Sequence, residues 1–541
     1  MKGSNITQSE TSSSIVGLPH PGVHLKGNFE SLYSSPPSSG SKKRSQAPPS
    51  DAFAPAWLHK LVAPPEFAGG VTTPLNDRIP AGDTYIGQFL AHELTYQLAD
   101  GIGQPSLQLD CLYGAGPDRA PYLYWYTPQP GGYNPYTFRG VKLALVAQEI
   151  NGEIIGWDVK RVGAEGGPGD KSAPLALMAD ARNDRNFILL QLHCVWALFH
   201  NAVAQFLFDE MSDEEKKQVN QTALFKESRR LTVACFRQMV IYDYLAKLID
   251  LDVIEEIWNN DEYLIFDPIQ FNKTGQGYLK APVLMREFLQ AAFRLGHSQI
   301  REFYFLEWDL SKDKFNQRPP RRIFNFDNNS KSDDLGGFRQ YRRQRIDWRL
   351  FFDYGPHAAI SPQRSKAIDQ YIAYPLSRLP FLPSGKQSLV SRDAFRSLQI
   401  AKGTAYASLL KSIPNKKFSD YANGIPKKIM DQLNAITDGK ADEAPLWLYL
   451  MVEADALEKG KKLGPLGERI VAEQFVWVMK YSLHRGNTGG NMDKDLELDD
   501  KELFAAIKKL RNKGDGVSAT KITMVDVLRF VGYTYPEVVS K

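Results

Sequence analysis

The sequence predicts a mainly α-helical protein that forms one large body with little β-structure. Hydrophobic residues make up 43% of the 541 residues and charged residues 24%, the balance of a globular protein with a large buried core. Apolar residues also recur with helical spacing in six blocks distributed along the chain. These blocks are 84–98, 184–208, 227–250, 283–305, 392–410 and 469–481.

The N-terminal residues 1–55 differ in composition from the rest of the chain. Ser31–Asp51 is rich in Ser, Pro, Lys and Arg, and so few apolar residues cannot offset the entropy lost on ordering. We expect 1–55 to form a mobile arm and 56–541 to form one catalytic domain. Met1–Gly17 has no basic start followed by an apolar run, and no segment has the roughly 18 uncharged apolar residues of a membrane-spanning helix. We therefore expect a cytoplasmic protein with no transmembrane segment.

The charge balance and the cysteine content argue against two classes of protein, nucleic-acid-binding proteins and disulfide-rich proteins. The 66 basic and 62 acidic residues give a net charge of +4, too even a balance for a nucleic-acid-binding protein. The three cysteines, Cys111, Cys194 and Cys235, form no dense disulfide framework, and two lie in apolar helical patterns where a buried thiol is usual. This usage fits a reducing compartment.

Three segments contain residues that could carry chemistry. In DTYIGQFLAHELTYQ (83–97), Asp83 is the expected N-cap, and Gln88 and His92 lie four residues apart on one helix face. In 176–201, a polar turn with Arg182 leads into a long apolar helix, for which Asp184 is the expected cap. Taken alone, each residue has an ordinary structural explanation.

The third segment is LMREFLQAAFRLGHSQIREFY (284–304). It places His297 in an apolar helical stripe beside Gly296, which gives a flat ligand close access to the backbone. A single histidine in such a stripe is usually structural. The order of the three segments is more informative than any one of them.

Together these segments resemble the animal-type haem peroxidases of the peroxidase-cyclooxygenase superfamily, which include myeloperoxidase, and their bacterial branch. GQFLAHEL resembles the distal helix of that family, which implies that Gln88 and His92 face the haem iron. ADARNDRN resembles the segment with the distal arginine, here Arg182, and FRLGHSQI resembles the proximal helix, here with His297 as the axial ligand. The resemblance extends from about residue 60 to about residue 535.

This resemblance implies a division of chemical roles. His92 would take a proton from hydrogen peroxide and return it to the departing oxygen, and Arg182 would supply positive charge where the O–O bond polarises. Gln88 would hold a distal water. In SRDAFRSLQIAKG (391–403), Asp393 aligns with an Asn that hydrogen-bonds the proximal histidine, and a carboxylate there would make His297 more imidazolate-like.

Three positions depart from the family pattern or bear on its variants. Ala91 and Arg185 occupy the positions that form ester bonds to haem in mammalian members, so we expect non-covalent haem b, with Arg185 pairing with a propionate. Arg294 lies three residues before His297, as in the peroxidases, where cyclooxygenase-type enzymes have a tyrosine. We expect Arg294 beside the haem.

The calcium loop of the family is also altered. Glu93 replaces an Asp, and QLDCLYG (108–114) offers Gln108 and Asp110 in place of the usual oxygen ligands. Two carboxylates and neighbouring carbonyls could still hold Ca²⁺. Calcium at Glu93 and Asp110 therefore remains an open possibility.

Three functions remain open at the level of sequence. The favoured one is a haem peroxidase that oxidises a small organic or halide donor with hydrogen peroxide. The alternatives are a fatty-acid dioxygenase of cyclooxygenase type, which Arg294 disfavours, and a haem-binding relative without turnover. The sequence predicts neither the donor nor the oligomeric state.

Overall fold

The computed structural model of the protein describes most of the predicted catalytic body. The described residues are 56–64, 74–96, 104–126, 137–163, 174–307, 320–324, 334–337, 345–356, 358, 360–377, 403, 407, 421, 423–511 and 520–533. They form a mainly helical protein with a few short strands, which confirms the predicted fold class. The predicted arm 1–55, the residue Asp393 and most of the helical block 392–410 lie outside the described residues.

Helices form the body of the described chain. The α-helices are α1 (Ala81–Leu94), α2 (Asp110–Tyr113), α3 (Phe187–Asp209), α4 (Asp213–Lys217), α5 (Gln221–Met239), α6 (Ala246–Leu248), α7 (Leu251–Asn260), α8 (Arg286–Gln290), α9 (Gly296–Gln299), α10 (Lys427–Thr437), α11 (Leu446–Glu458), α12 (Pro465–His484), α13 (Met492–Asp495), α14 (Lys501–Lys509) and α15 (Met524–Phe530). Short 3-10 helices lie at Ala56–Leu61, Pro121–Leu123, Ala181–Asp184, Ala292–Arg294, Trp348–Leu350, Tyr374–Ser377 and Ala441–Glu443.

The strands pair only in twos within the described chain. The strands are β1 (Leu75–Pro80), β2 (Leu145–Ile150), β3 (Glu153–Val159), β4 (Arg161–Val162), β5 (Leu175–Ala176), β6 (Ile269–Phe271), β7 (Gly277–Leu279), β8 (Phe303–Tyr304), β9 (Arg321–Arg322) and β10 (Arg364–Lys366). The antiparallel pairs are β1–β10, β2–β3, β4–β5, β6–β7 and β8–β9. The β1–β10 pair holds the chain immediately before α1.

The central element is α3, an apolar helix that packs against α1, α5 and α15. Its cap is Asn186, whose side-chain oxygen accepts hydrogen bonds from the backbone N–H groups of Ile188 and Leu189. The predicted cap Asp184 instead forms a bidentate ion pair with Arg161 at 2.6 and 2.8 Å. By length and hydropathy α3 could cross a membrane, but 83% of that apolar window is buried inside the protein, as in a core helix.

The helix α1 begins two residues before the predicted cap. Pro80 has the extended backbone of an N-cap, so Asp83 lies in the first turn and is buried. Lys247 forms an ion pair with this carboxylate at 3.0 Å. At the other end, Thr95 closes the helix and its hydroxyl donates to the carbonyl of Ala91 at 2.6 Å.

Two predicted helices are not continuous. The block 227–250 comprises α5, a π-helical turn at Val240–Leu245, and α6. The block 283–305 is interrupted at Ala291, whose φ of −129° and ψ of −75° are not helical. It therefore consists of α8, a 3-10 turn and the single-turn α9, and β8 follows. Gln474 of α12 anchors the start of this segment, because its amide bonds the backbone of Val283 and Met285 at 2.9 and 2.8 Å.

Candidate functional site

A cavity lies between one face of α1 and the broken segment 289–300. Its empty space is about 1000 Å³, including a part that is open to solvent. From α1 it is lined by residues with helical spacing, and α8, α9 and the turn between them line it as well. The lining residues are Thr84, Tyr85, Gly87, Gln88, Ala91, His92, Arg185, Asn186, Tyr244, Leu289, Phe293, Arg294, Leu295, Gly296, His297, Ile300, Ile323, Phe324 and Leu376.

Three buried polar atoms of this lining have no hydrogen-bond partner among the described residues. They are Thr84 Oγ1, His92 Nε2 and Asn186 Nδ2. Folded proteins rarely leave buried polar groups unsatisfied, because each one costs the free energy of desolvation. Three such atoms around one cavity indicate that it binds a ligand with polar groups.

His92 has a defined tautomer in this cavity. It is fully buried, and its Nδ1 lies 2.7 Å from Oδ1 of Asn183. An amide oxygen only accepts, so the proton of the neutral ring is on Nδ1 and the lone pair is on Nε2. Burial first, and then the positive charge of Arg182, lowers the pKa of His92 to about 3, while Asp180 opposes this shift. His92 is therefore a neutral base at neutral pH.

The side chain that orients His92 was not predicted from the sequence. Asn183 is fully buried, and its Nδ2 donates towards His193 Nδ1 at 3.4 Å and Cys111 Sγ at 3.7 Å. Burial lowers the pKa of His193 to about 4, so its ring is neutral and can accept this hydrogen bond. These contacts turn the Asn183 oxygen towards His92. In the sequence, Asn183 is recognisable only as part of the ARND turn, where Asn is common because its side chain can hydrogen-bond the nearby backbone.

The structure places Arg182 beside α1 and not in the cavity lining. Its guanidinium forms an ion pair with Asp180 at 2.6 Å, donates to the backbone carbonyl of His92 at 2.9 Å and donates to Thr95 Oγ1 at 2.8 Å. These contacts hold the C-terminal end of α1, where a cation is favoured by the helix dipole. Of the two predicted arginines in this segment, Arg185 is the one that lines the cavity, and it is buried.

Glu93 and Asp110 lie near each other, as the calcium prediction requires, but their oxygens have other partners. The buried Glu93 carboxylate accepts hydrogen bonds from the backbone N–H groups of Gln108, Asp110 and Cys111 at 2.8–3.0 Å. Asp110 forms an ion pair with Arg229 at 2.8 Å. The described ranges contain no cluster of three or more His, Cys, Asp or Glu side chains arranged to hold a metal ion. Both carboxylates thus have partners within the protein, and calcium at Glu93 and Asp110 stays a prediction.

The proximal prediction falls in the same cavity as His92. His297 is buried in α9 and lines the cavity together with Gly296 and Arg294. A Cβ atom at Gly296 would have no neighbour within 4 Å, so open space adjoins the backbone there. The Arg294 side chain is held by a hydrogen bond from Nε to the carbonyl of Leu289 at 3.0 Å.

Comparison with known families identifies the class to which this protein belongs. Residues 157–480, more than half of the chain, match the family model described as animal haem peroxidase. The chain belongs to the animal haem peroxidase family. The matched range includes Arg182, Arg185, Arg294 and His297, whereas α1 with Gln88 and His92 precedes it. The family prediction is thereby confirmed.

The solved structures to which the chain is similar include enzymes named for two activities. Peroxidase A from Dictyostelium discoideum is 14% identical over 89% of this chain and 90% of its own, with a TM-score of 0.49. Fatty acid alpha-dioxygenase from Oryza sativa, crystallised with palmitic acid, is 13% identical over 88% of this chain and 82% of its own, with a TM-score of 0.50. The rice enzyme shows similarity of fold alone. Curated proteins include no significant match.

The cavity fits the haem that the family implies. Two imidazoles, His92 and His297, line it, and unsatisfied polar atoms and open backbone at Gly296 adjoin the space. Arg185 and Arg294 add two positive charges to an otherwise largely apolar lining, as a flat apolar ring with carboxylate arms requires. The sequence-predicted residues Gln88, His92, Arg185, Arg294 and His297 are thus brought together.

Proposed function

We propose that this protein is a haem-dependent peroxidase that oxidises a small organic or halide donor with hydrogen peroxide. The observation that carries the proposal is the state of His92. It is a buried neutral imidazole in the cavity lining, and its Nε2 lone pair lacks a partner among the described residues. A base in that state is what proton removal from bound peroxide requires.

In this proposal the haem is held without covalent bonds. His297 would hold the iron as the predicted ligand, and Arg185 and Arg294 would pair with the propionates. Ala91 and Arg185, which line the cavity, have no carboxylate with which to form an ester. When bound, haem b would supply the electrons that reduce the peroxide O–O bond.

The protein's own residues move and place the proton. His92 Nε2 takes a proton from peroxide and returns it to the departing oxygen, so one imidazole acts as base and then as acid. Asn183 holds the ring in the required tautomer, and Arg182 holds the carbonyl of His92 and its helix end. Arg182 is therefore a positioning residue in this proposal, whereas Gln88 borders the space where a distal water would bind.

The dioxygenase alternative is less well supported by the residues present. The position three residues before His297 is Arg294, whose side chain is hydrogen-bonded to a backbone carbonyl. An arginine cannot abstract hydrogen from a fatty acid as a tyrosine does. A relative without turnover would not need the tautomer of His92 that Asn183 maintains.

Absorption spectroscopy of the haem-reconstituted protein tests the proposal. We expect a Soret band that shifts within seconds of adding hydrogen peroxide and returns when a phenol or halide donor is added. A Soret band that does not respond to peroxide would contradict peroxidase function. A protein that retains no haem would contradict the haem assignment itself.

A further inference from the structure

A row of five aromatic side chains leads from the cavity to the protein surface. Tyr85 of α1 lines the cavity, and its ring meets Tyr304 of β8 edge-on at a centroid distance of 5.6 Å. Tyr304 stacks on Phe351 at 6.2 Å with an interplanar angle of 23°. Phe351 meets Trp348 at 6.0 Å, and Trp348 meets Tyr533 at 6.2 Å. We call these residues the aromatic row.

The row is buried along its length and partly exposed at one end. Tyr85, Tyr304, Phe351 and Trp348 are each no more than 1% exposed, whereas Tyr533, just after α15, is partly exposed. The fold fixes these contacts from distant parts of the chain. The 3-10 turn Trp348–Leu350 places Trp348 and Phe351 between the strand that holds Tyr304 and the segment after α15 that holds Tyr533.

The chemical types in the row suit the transfer of single electrons. Tyrosine and tryptophan are among the side chains most easily oxidised by one electron, and Phe351 provides a π-system between Tyr304 and Trp348. Ordinary core packing explains aromatic contacts in general, since such pairs stabilise a core. Packing alone does not require oxidisable residues at four of the five positions. It also does not require that one end of the row, Tyr85, lines the cavity while the other end, Tyr533, is partly exposed.

We propose that the aromatic row carries electrons from donors at Tyr533 to the haem cavity, so that the protein also oxidises phenols too large to enter it. This inference rests on the proposed peroxidase function, because a hydroperoxide supplies the oxidising power. It defines a second substrate class for the same haem: phenolic groups on polymers or on protein surfaces.

The overall reaction balances with a hydroperoxide as oxidant and a phenol as donor. One ROOH and two ArOH give ROH, H₂O and two ArO•, so the O–O bond breaks and each phenol loses one electron and one proton. Within the row, Tyr533 loses an electron inward and its phenolic proton to water. It then regains both from the donor. Tyr85, Tyr304 and Trp348 regain what they lose on each transfer, so no net change remains inside the protein.

Radical trapping on the haem-loaded protein tests the row without relying on turnover. Hydrogen peroxide is added without donor in the presence of the nitroso spin trap 2-methyl-2-nitrosopropane, and the adducts are located by peptide mass spectrometry and electron paramagnetic resonance. We expect an adduct on Tyr533 that is lost in Tyr533→Phe and in Trp348→Phe. Tyr371→Phe is the matched control, because Tyr371 is 38% exposed and lies outside the row.

Steady-state oxidation of two donors completes the test. Tyr533→Phe should lose oxidation of a dextran-linked phenol and keep oxidation of free phenol, whereas Tyr371→Phe should keep both. A normal Soret response to peroxide without an adduct on Tyr533, or undiminished dextran-phenol oxidation in Tyr533→Phe, would overturn the aromatic row alone. Absence of any Soret response would instead overturn the peroxidase proposal on which it rests. If Trp348→Phe does not fold, Tyr533→Phe still decides the outcome, because it removes only one hydroxyl.

Discussion

Replacing Asn183 with leucine should slow the reaction with hydrogen peroxide without removing any residue from the cavity lining. The hydrogen bond between His92 Nδ1 and Asn183 Oδ1 is 2.7 Å long, and both residues are fully buried. Without that acceptor the Nδ1–H would be buried and unsatisfied, so the ring would gain by moving its proton to Nε2. In that tautomer Nε2 carries the proton and has no lone pair, so it cannot act as base.

The size of the effect follows from the cost of an unsatisfied buried donor. That cost is about 1–3 kcal/mol, which corresponds to a roughly 5- to 150-fold shift in the tautomer ratio and in the rate constant for peroxide. Stopped-flow measurement of the Soret change gives this rate constant directly. Asn201→Leu is a matched control, because Asn201 accepts an equally short hydrogen bond of 2.7 Å, from the backbone of Leu143, away from the cavity.

A second variant at the same position changes the pH dependence with a predictable sign. The pKa of His92 is about 3, so the wild-type rate constant should be constant over about pH 5 to 8. In Asn183→Asp a carboxylate facing Nδ1 would stabilise the imidazolium and raise that pKa, so the rate should fall as pH decreases within this range. A wild-type rate for Asn183→Leu, together with an unchanged pH profile for Asn183→Asp, would refute the tautomer argument.

Three further predictions concern haem and calcium. His297→Ala should lose haem retention, and added imidazole should restore it; a variant with wild-type haem content and spectrum would contradict axial ligation. Acid–acetone should extract all haem as unmodified haem b, because neither Ala91 nor Arg185 can form an ester, and haem that stays with the polypeptide would disprove this. Chelation with EDTA should leave the melting temperature and the peroxide rate unchanged, because backbone N–H groups and Arg229 already satisfy Glu93 and Asp110. A melting temperature that falls on chelation and recovers with Ca²⁺ would reveal a bound calcium ion.

The long periodic elements could be predicted from the sequence because their apolar pattern is a local property. The helices α1, α3 and α12 all lie where helical spacing predicted them, although cap positions differed. Asp83 and Asp184 were expected caps, but each is used in an ion pair with a residue distant in sequence, Lys247 or Arg161. Local sequence does not show which of several polar residues a distant cation will bind.

The breaks within helical blocks could not be predicted for a related reason. The apolar spacing of 283–305 continues across Ala291, and the pattern of 227–250 continues across the π-helical turn. Packing against other elements sets both irregularities. They matter for the site, because the first places His297 on the single turn α9 and the second contains Tyr244, which lines the cavity.

The sequence predicts which residues line the cavity better than it predicts how their side chains are oriented. Resemblance placed Gln88, His92, Arg185, Arg294 and His297 in one cavity, and they meet there. The direction of Arg182 depends on Asp180 and on the end of α1, and the importance of Asn183 depends on a contact with a histidine 91 residues away. Both are properties of the folded chain that no single segment shows.

Stopped-flow comparison of the haem-loaded wild type with His92→Ala tests the central claim most directly. If His92 is the proton acceptor for peroxide, the variant should show a Soret response slowed by about two or more orders of magnitude, the usual contribution of general acid–base catalysis. The later reaction with a phenol donor, started after the response is complete, should keep its wild-type rate constant. A wild-type rate with peroxide and a slowed reaction with the donor would contradict the account, because His92 would then bind substrate and would not accept the proton of peroxide.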